Sequence, residues 1–454
     1  MPTPEVGRLA AANVGARMRA MVLAHSGQRT ETQSRASALR RVSPPRSRLV
    51  RAALVLLWCA FAWMAPAHAQ PAPVAAAAPQ APRIGVATMQ PGEVFWERFG
   101  HDAIVVDDPA VPSGPVSYNF GFFDLGEDGF IGRFVRGEME YQLVALPLAD
   151  DLAHYRQTGR GVSIQWLDLD PAQARGLAAA LAENARPENA RYRYDYFTDN
   201  CATRVRDALD RALGGQLRRQ LESRSLGNTY RSEAVRLASP AGWMWLGFDI
   251  GLGPYADRPL SRWQDAFVPM HLADGLRQAR HADGRPLVRS EESVLPHRIA
   301  PEPPATPRLW WPWMLAGLAL GAAALALGRN APKRVLWLAL PAWLLCSALG
   351  AVMLLLWTAT AHVAGWANHN LLLFNPVCVL LLPGAWRLLR GRDPGALFRG
   401  VLWLVLAGAV LATLLLWLQQ GAPQRNAPWV SLLLPLHAAL AWRLARTRVV
   451  APPR

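Results

Sequence analysis

Of the four cysteines in this 454-residue chain, only one stands among charged and polar neighbours. Cys59 lies in ALVLLWCAFAW, Cys346 in AWLLCSALG and Cys378 in NPVCVLLLP, surroundings in which a thiol behaves as a small hydrophobe. Cys201 lies instead in YDYFTDNCATRVRDALD. Asp199 and Asn200 are good N-cap residues, so the spacing predicts a helix with Cys201 in its first turn. There the positive end of the helix and its free N–H groups favour a thiolate and offer an oxyanion site. Arg204 and Arg206 add positive charge nearby. Val205, Leu209 and Leu213 fall on one face of this helix, and Gly214-Gly215 ends it.

A cysteine nucleophile needs a base. Five histidines lie in the same middle region: His101, His154, His271, His281 and His297. His101 stands out in VFWERFGHDAIVVDD, where Gly100 permits close backbone approach just before an apolar strand. His271, which opens a predicted helix, is second; His154 sits on a polar amphipathic segment, and His281 and His297 in polar, loop-like stretches. The spacing alone is equally compatible with a packing thiol and a core histidine. Metal and nucleotide roles draw no support, because the motifs contain neither a zinc-type Cys/His set nor a Gly-rich phosphate loop. No cofactor is expected. Asp124, Glu127 and Asp128 in FGFFDLGEDGF lack the alternate oxygen ligands of a calcium loop and read as a solvated turn. Phe120, Phe122 and Phe123 read as core.

The elements that must position these residues follow from composition. The chain is 52% apolar with a net charge of +15, and that charge is unevenly placed: +8 over residues 1–69, −4 over 70–308 and +11 over 309–454. The basic excess belongs to targeting and membrane topology, so no nucleic acid partner is expected. Ala52 to Met64 is an apolar run of about 13 residues after Arg46, Arg48 and Arg51, followed by Ala67-His68-Ala69; this fits a cleaved secretory signal (1–69, with an extended n-region or a start at Met18 or Met21) better than a span of roughly 20. An uncleaved anchor would leave residues 70–308 on the same side. Removing Cys59 leaves Cys201 the sole thiol of the exported domain, with no disulfide partner there.

An Ala/Pro leader (70–82) and a Pro-rich linker (300–308) bracket a domain at 83–299. RIGVATM, HDAIVVD, PVSYNFG, MEYQLVALPL and GVSIQWLDL read as strands, DPAQARGLAAALAENA as a helix starting at Asp170-Pro171, and the last third as helical, an α+β pattern. Five apolar runs follow within 309–448, at about 309–327, 335–357, 371–386, 401–418 and 429–444, forming an all-α membrane domain; the third and fifth are short. Arginines and Lys333 after the first, third and fifth runs place the C-terminus (449–454) in the cytoplasm and residues 70–308 outside, in the periplasm of an inner-membrane protein. Several of the 19 tryptophans, near span ends, read as interfacial anchors. The loop TATAHVAGWANHNLLLFNP carries His362, Asn368, His369 and Asn370, with Asn375, where polar side chains could meet a lipid headgroup or stay satisfied by water.

FGHDAIVV, SYNFGFFD, FVRGEMEYQL and YRYDYFTDNCATRVRD, in this order and followed by membrane spans, resemble the Lnb-type family, whose periplasmic domain is tied to lipoprotein N-acylation. The resemblance covers roughly Ile84 to Leu276, with a weaker echo in the membrane part. It implies a circularly permuted papain-like domain, with His preceding Cys as in permuted NlpC-type hydrolases and the lecithin retinol acyltransferase family, with Cys201 as nucleophile and His101 as base. Tyr118 and Asn119, on the next strand, are the candidates to orient His101; Asp102 ranks behind them because strand neighbours point to opposite faces. Asn200 and Arg204 would support the thiol. The implied partners are phospholipid or lipoprotein acyl groups at the membrane, joined to Cys201 as a thioester that an amine or water resolves. A cysteine amidase or peptidase on cell-wall peptide, and a non-catalytic envelope assembly or binding protein, stay open.

Overall fold

A computed structural model describes residues 80–329, 331–418 and 423–447. The signal segment 1–69, the leader up to residue 79 and the tail 449–454 lie outside the described residues. The expected strands form and are joined by two more, giving β1 (Arg83–Met89), β2 (His101–Asp107), β3 (Val116–Phe122), β4 (Glu140–Pro147), β5 (Val162–Leu167), β6 (Arg191–Arg193) and β7 (Val288–Leu295). All pairings are antiparallel, in the order β6-β4-β3-β2-β1-β5-β7. The strand at β7 corrects the all-helical expectation for the last third. Its VRSEESVL sequence is largely exposed, as suits a charged edge strand, and carries little apolar signal.

Strand alternation divides the sheet into two faces. Ile84, Val86, Ile104, Val106, Tyr118 and Phe120 pack against helices α3 (Pro171–Asn184) and α4 (Cys201–Ala212). Ala87, Met89, Ala103, Val105, Ile164 and Trp166 pack on the other side against Tyr155 of α2 (Leu148–Thr158), α1 being the short helix Phe130–Arg136. Gly100 precedes β2 with φ +77°, and a Cβ there would lie 2.9 Å from the Met89 carbonyl, so only glycine lets His101 open the strand paired with Met89.

Helices α5 (Tyr230–Ala238), α6 (Gly242–Gly251) and α7 (Pro269–Gln278) complete this domain. The membrane part contains α8 (Trp311–Gly328), α9 (Pro332–Ala359), α10 (Leu382–Leu389), α11 (Ala396–Leu418) and α12 (Ala427–Ala445). Among the described residues four segments are long and apolar enough to cross a membrane: 311–328, 333–359, 363–389 and 396–418. The third run is not the continuous helix expected at 371–386. Short 3₁₀ segments occupy His369–Leu372 and Pro376–Leu381 before α10 begins, because Asn375 caps the Val377 amide and Pro376 and Pro383 each remove a main-chain donor. Gly317 of α8 faces α12 so closely that a Cβ would fall 2.5 Å from the Ser431 and Leu432 carbonyls, a small-residue contact of the kind that lets membrane helices pack backbone to backbone.

The two parts are joined by a buried polar knot. Arg231 of α5 donates from Nε to both Asp257 oxygens at 3.0 Å, from Nη1 to the Asp249 carbonyl at 2.7 Å and from Nη2 to the Leu252 and Gly253 carbonyls at 2.7 and 3.2 Å. Asp257 also accepts from the Arg425 amide at 3.0 Å, and Asp249 from Trp429 Nε1 at 2.9 Å. Both side chains of the Arg231–Asp257 pair are essentially fully buried. Replacing one partner leaves the other charge buried and unpaired, so Arg231→Met should cost about 3–5 kcal/mol. Thermal unfolding of the detergent-solubilised protein should show a clear drop in midpoint, with part of it recovered in Arg231→Met/Asp257→Leu; equal midpoints for wild type and the single variant would refute this account.

Candidate functional site

Helix α4 begins at Cys201 because Asn200 closes its end. Asn200 Oδ1 accepts from the Thr203 amide at 2.9 Å, the Asn200 amide donates to Thr203 Oγ1 at 2.7 Å, and Asn200 Nδ2 donates to the Tyr196 and Phe267 carbonyls, both at 2.9 Å. The cap therefore fixes the helix start against two other segments, and Val205, Leu209 and Leu213 bury the expected face. Among the described residues Cys201 is the only cysteine outside the membrane part, and it is partly buried.

The main-chain amides of Asp102, Ala202 and Cys201 itself favour the charged form of the sulfur. The β2–β3 ladder begins only at Ala103↔Asn119, and β3 changes register against β4 between Asn119 and Phe122. Gly121, within that irregularity, borders the site: a Cβ there would be 3.6 Å from the Tyr194 ring and 3.8 Å from Cys201 Cβ.

The electrostatics correct the expectation of a resting thiolate. Burial pushes the Cys201 thiol up to about 12, the Asp102 carboxyl adds to this, and the three amides only partly offset it. Asp102 is fully buried and accepts from Thr88 Oγ1 at 2.7 Å; burial holds its own carboxyl well above the usual range. Arg204 forms a two-pronged ion pair with Asp199 and lies 4.0 Å over the Tyr192 ring, so its charge is already matched. Arg206 points elsewhere, donating to the Trp263 carbonyl at 2.6 Å and pairing with Asp207.

His101 leaves β2 on the α2 face, as Asp102 leaves it on the α4 face. Its Nε2 lies 3.0 Å from Asn119 Oδ1. Asn119 Nδ2 donates to Asp151 Oδ2 and to Ser117 Oγ, each at 3.0 Å, and Ser117 Oγ donates to Asp151 Oδ2 at 2.7 Å. A carboxylate oxygen needs a donor, which sets the amide so that Oδ1 faces the imidazole; Oδ1 can only accept, so Nε2 carries the proton and Nδ1 keeps its lone pair. Burial lowers the His101 pKa, against the opposing pull of Asp151 and the Asn119 bond, so the ring is neutral at pH 7. Tyr155, on this face, is raised by burial, with Asp151 and, last, Cys201 also contributing.

Asn119 is thus brought to His101, whereas Tyr118 is turned away from it into the core with Phe120 and Val106. Asp151 and Ser117 belong to the row although nothing in the local sequence marks them: Asp151 is one of two adjacent acids at the start of α2. The other histidines are engaged elsewhere. His271 lies 3.1 Å from Asp265 and 3.7 Å from Glu233; burial pulls its pKa down, but the bond to Asp265 and the charge of both acids outweigh this and raise it. His297 accepts from the Gly161 amide at 3.0 Å, and His281 lies 3.7 Å from Asp168. His154 sits edge-on to Tyr155.

The polar loop of the membrane part docks the two parts together. His362 donates from Nε2 to the Phe134 carbonyl at 3.1 Å and stacks with Tyr196. Asn368 and Asn370 are buried, and their Nδ2 groups donate to the Ile250 carbonyl at 2.8 and 2.9 Å; Gln424 and Asn426 donate to their side-chain oxygens. This replaces the headgroup expectation for those two residues. The His369 amide donates to Gln424 Oε1 at 2.7 Å.

Comparison with known proteins agrees with these two parts. Residues 70–235 match the family model described as the Lnb N-terminal periplasmic domain, and residues 305–448 match that of the Lnb transmembrane domain. No curated protein and no solved structure gives a significant match. The chain belongs to the Lnb-type family, as a membrane-anchored envelope protein with a periplasmic domain.

Proposed function

We propose that this protein is a thiol acyltransferase or hydrolase acting on acyl esters of membrane lipids or lipoproteins, in a periplasmic catalytic domain spanning residues 83–299. The observation that carries the reading is the start of a capped helix at Cys201, where three main-chain amides favour negative charge on the sulfur, in a domain that also holds a neutral histidine whose Nε2 meets Asn119. Such amides favour negative charge, first on sulfur and then on the carbonyl oxygen of a bound ester. The Cys, His and Asn roles, with His earlier in the chain than Cys, suit a circularly permuted papain-like arrangement. The linker 300–308 and five spans, the broken third and the α12 helix included, would tether this domain to the inner membrane with the C-terminus cytoplasmic, in line with the basic residues after the first, third and fifth runs.

In the mechanism, His101 Nδ1 takes the Cys201 proton as sulfur attacks the ester carbonyl. The C–S bond forms, the C–O bond breaks, and the proton passes from His101 to the departing alcohol. An amine, in the transferase case the N-terminus of a diacylated lipoprotein, then attacks the thioester; the C–N bond forms, sulfur leaves, and the amine proton returns through His101 to the thiol. Because the resting thiol lies near 12 and His101 is neutral, proton transfer accompanies attack and no ion pair precedes it.

Intact-mass analysis of the full-length protein with phospholipid vesicles and diacylated lipopeptide tests the reading. The expected result is a hydroxylamine-sensitive acyl adduct on wild type, none on Cys201→Ser, and N-acylated lipopeptide only with wild type. An adduct with free fatty acid alone makes the protein a lipid hydrolase. Cleavage of cell-wall peptide without an acyl adduct assigns it to the amidase or peptidase class, and neither product nor adduct leaves a non-catalytic envelope protein.

The His101 role has its own pH signature. A protonated imidazole cannot accept the thiol proton, so acylation should decline as pH falls through the His101 pKa; since burial lowers that pKa, the midpoint should lie below 6.5. His101→Ala should lose about 10²–10⁴-fold in acylation rate and the acid limb with it. An acid limb unchanged in that variant would remove His101 from the mechanism.

Asn119 is a positioning residue in this scheme. Asn119→Ala should lower kcat by on the order of 10²-fold with little change in KM, since a misplaced base slows reaction without weakening binding. A change confined to KM would count against the role.

A further inference from the structure

Helix α6, GWMWLGFDIG, is apolar and lies beside the membrane part, its Ile250 carbonyl held by Asn368 and Asn370. Between α6 and helices α8, α9 and α12 runs a groove of about 890 Å³. Leu246, Gly247 and Ile250 line it from the α6 side, and Leu345, Leu349 and Leu436 are among its walls on the spanning helices; its lining is almost wholly apolar. The volume falls within the roughly 300–1,000 Å³ of ligand sites. A cavity without polar partners does not hold ordered water, and walls at bilayer depth face hydrocarbon.

A line of aromatic rings connects this groove to the thiol. Trp243, which lines the groove and is 69% exposed, stacks with Phe95 at 5.9 Å; Phe95 meets Trp96, Trp96 meets Phe123 at 5.8 Å, Phe123 stacks on Tyr141 at 4.9 Å, and Tyr141 lies 4.4 Å from Tyr194 beside Cys201. Phe95 and Trp96 are also exposed although they belong to the segment leading into His101. The outer rings of this line, Trp243, Phe95 and Trp96, are exposed, as an interfacial entry for lipid requires, whereas Tyr141 is buried with Phe123 and Tyr194 packed on it.

We propose that the groove between α6 and the spanning helices holds a long acyl chain of a glycerophospholipid, with the ester drawn along the Trp243–Tyr194 aromatic line toward Cys201. This rests on the acyl-ester reading above and makes membrane lipid the donor. The groove confers preference for long chains, whereas the chemistry at the sulfur is common to all esters.

Gly247 provides the test, because a Cβ there meets nothing within 4 Å and a larger side chain enters the groove without displacing the fold. Full-length wild type and Gly247→Phe, in phospholipid nanodiscs, would be compared for Cys201 acylation by a long-chain phospholipid and by a short-chain water-soluble p-nitrophenyl ester. In parallel, a phospholipid with a photoactivatable diazirine in its acyl chain would be crosslinked and the labelled peptides mapped. The expected result is at least tenfold slower long-chain acylation in Gly247→Phe, short-chain acylation within twofold of wild type, and wild-type label on α6 or on α8 and α9 that Gly247→Phe abolishes. Equal slowing with both esters, or no slowing with either, overturns the groove as a chain site. If neither ester acylates Cys201, the catalytic reading fails, and the crosslink decides alone: groove label abolished by Gly247→Phe keeps the chain site, and label elsewhere ends it.

Discussion

The arrangement of this protein depends on one buried guanidinium. Arg231 cannot be desolvated without partners, and all three of its nitrogens find them, in both oxygens of Asp257 and the carbonyls of residues 249, 252 and 253. Those contacts shape the turn after α6. The same turn meets the membrane part through Asp249 to Trp429, Asp257 to the Arg425 amide and the Ile250 carbonyl to Asn368 and Asn370. A satisfied buried pair contributes little net stability compared with an apolar substitute of the same shape. What this one provides is geometry: it sets the periplasmic domain on the spans in one position.

That position matters because the chemical groups are neutral at rest. Burial raises the Cys201 thiol and lowers the His101 imidazole, so both groups are uncharged at rest. An unpaired thiol in an oxidising compartment survives best in this state, since oxidation follows thiolate character and exposure. The amides of Asp102, Ala202 and Cys201 then act only when charge develops.

Much of this was legible in the sequence, for identifiable reasons. β1 and β2 fall where RIGVATM and HDAIVVD alternate or run apolar between turns, and α4 starts at Cys201 because an Asn cap is a local signal. Asn119 was within reach because a residue on the strand beside His101 must face it or its opposite. Asp151 was not, since its partner is 32 residues away and two adjacent acids look like a solvated helix start. Arg231 was hidden in the same manner: in YRSEAVRLAS an arginine reads as an exposed helix position until the tertiary fold buries it. Charged edge strands β6 and β7 lack apolar alternation, and the third membrane run reads as a helix because hydropathy does not register where Asn375 and the prolines interrupt it. The thiol's resting state was misjudged because capping is local whereas desolvation is set by everything packed around the sulfur.

The way the two parts are joined leaves an apolar surface exposed beside the spans. Docking relies on side-chain amides, an indole N–H and a guanidinium meeting carbonyls and carboxylates at the end of α6, groups that require burial and direction. Ile250 and Trp245 of α6 also pack against the spans, while Trp243 and Leu246 stay exposed, together with Phe95 and Trp96. In water such a surface would be a liability, but beside helices long and apolar enough to cross a bilayer it faces acyl chains. Polar groups thus help to fix the domain in place while the apolar face of α6 stays exposed, on the same surface as Phe95 and Trp96 in the segment that leads into β2 at His101.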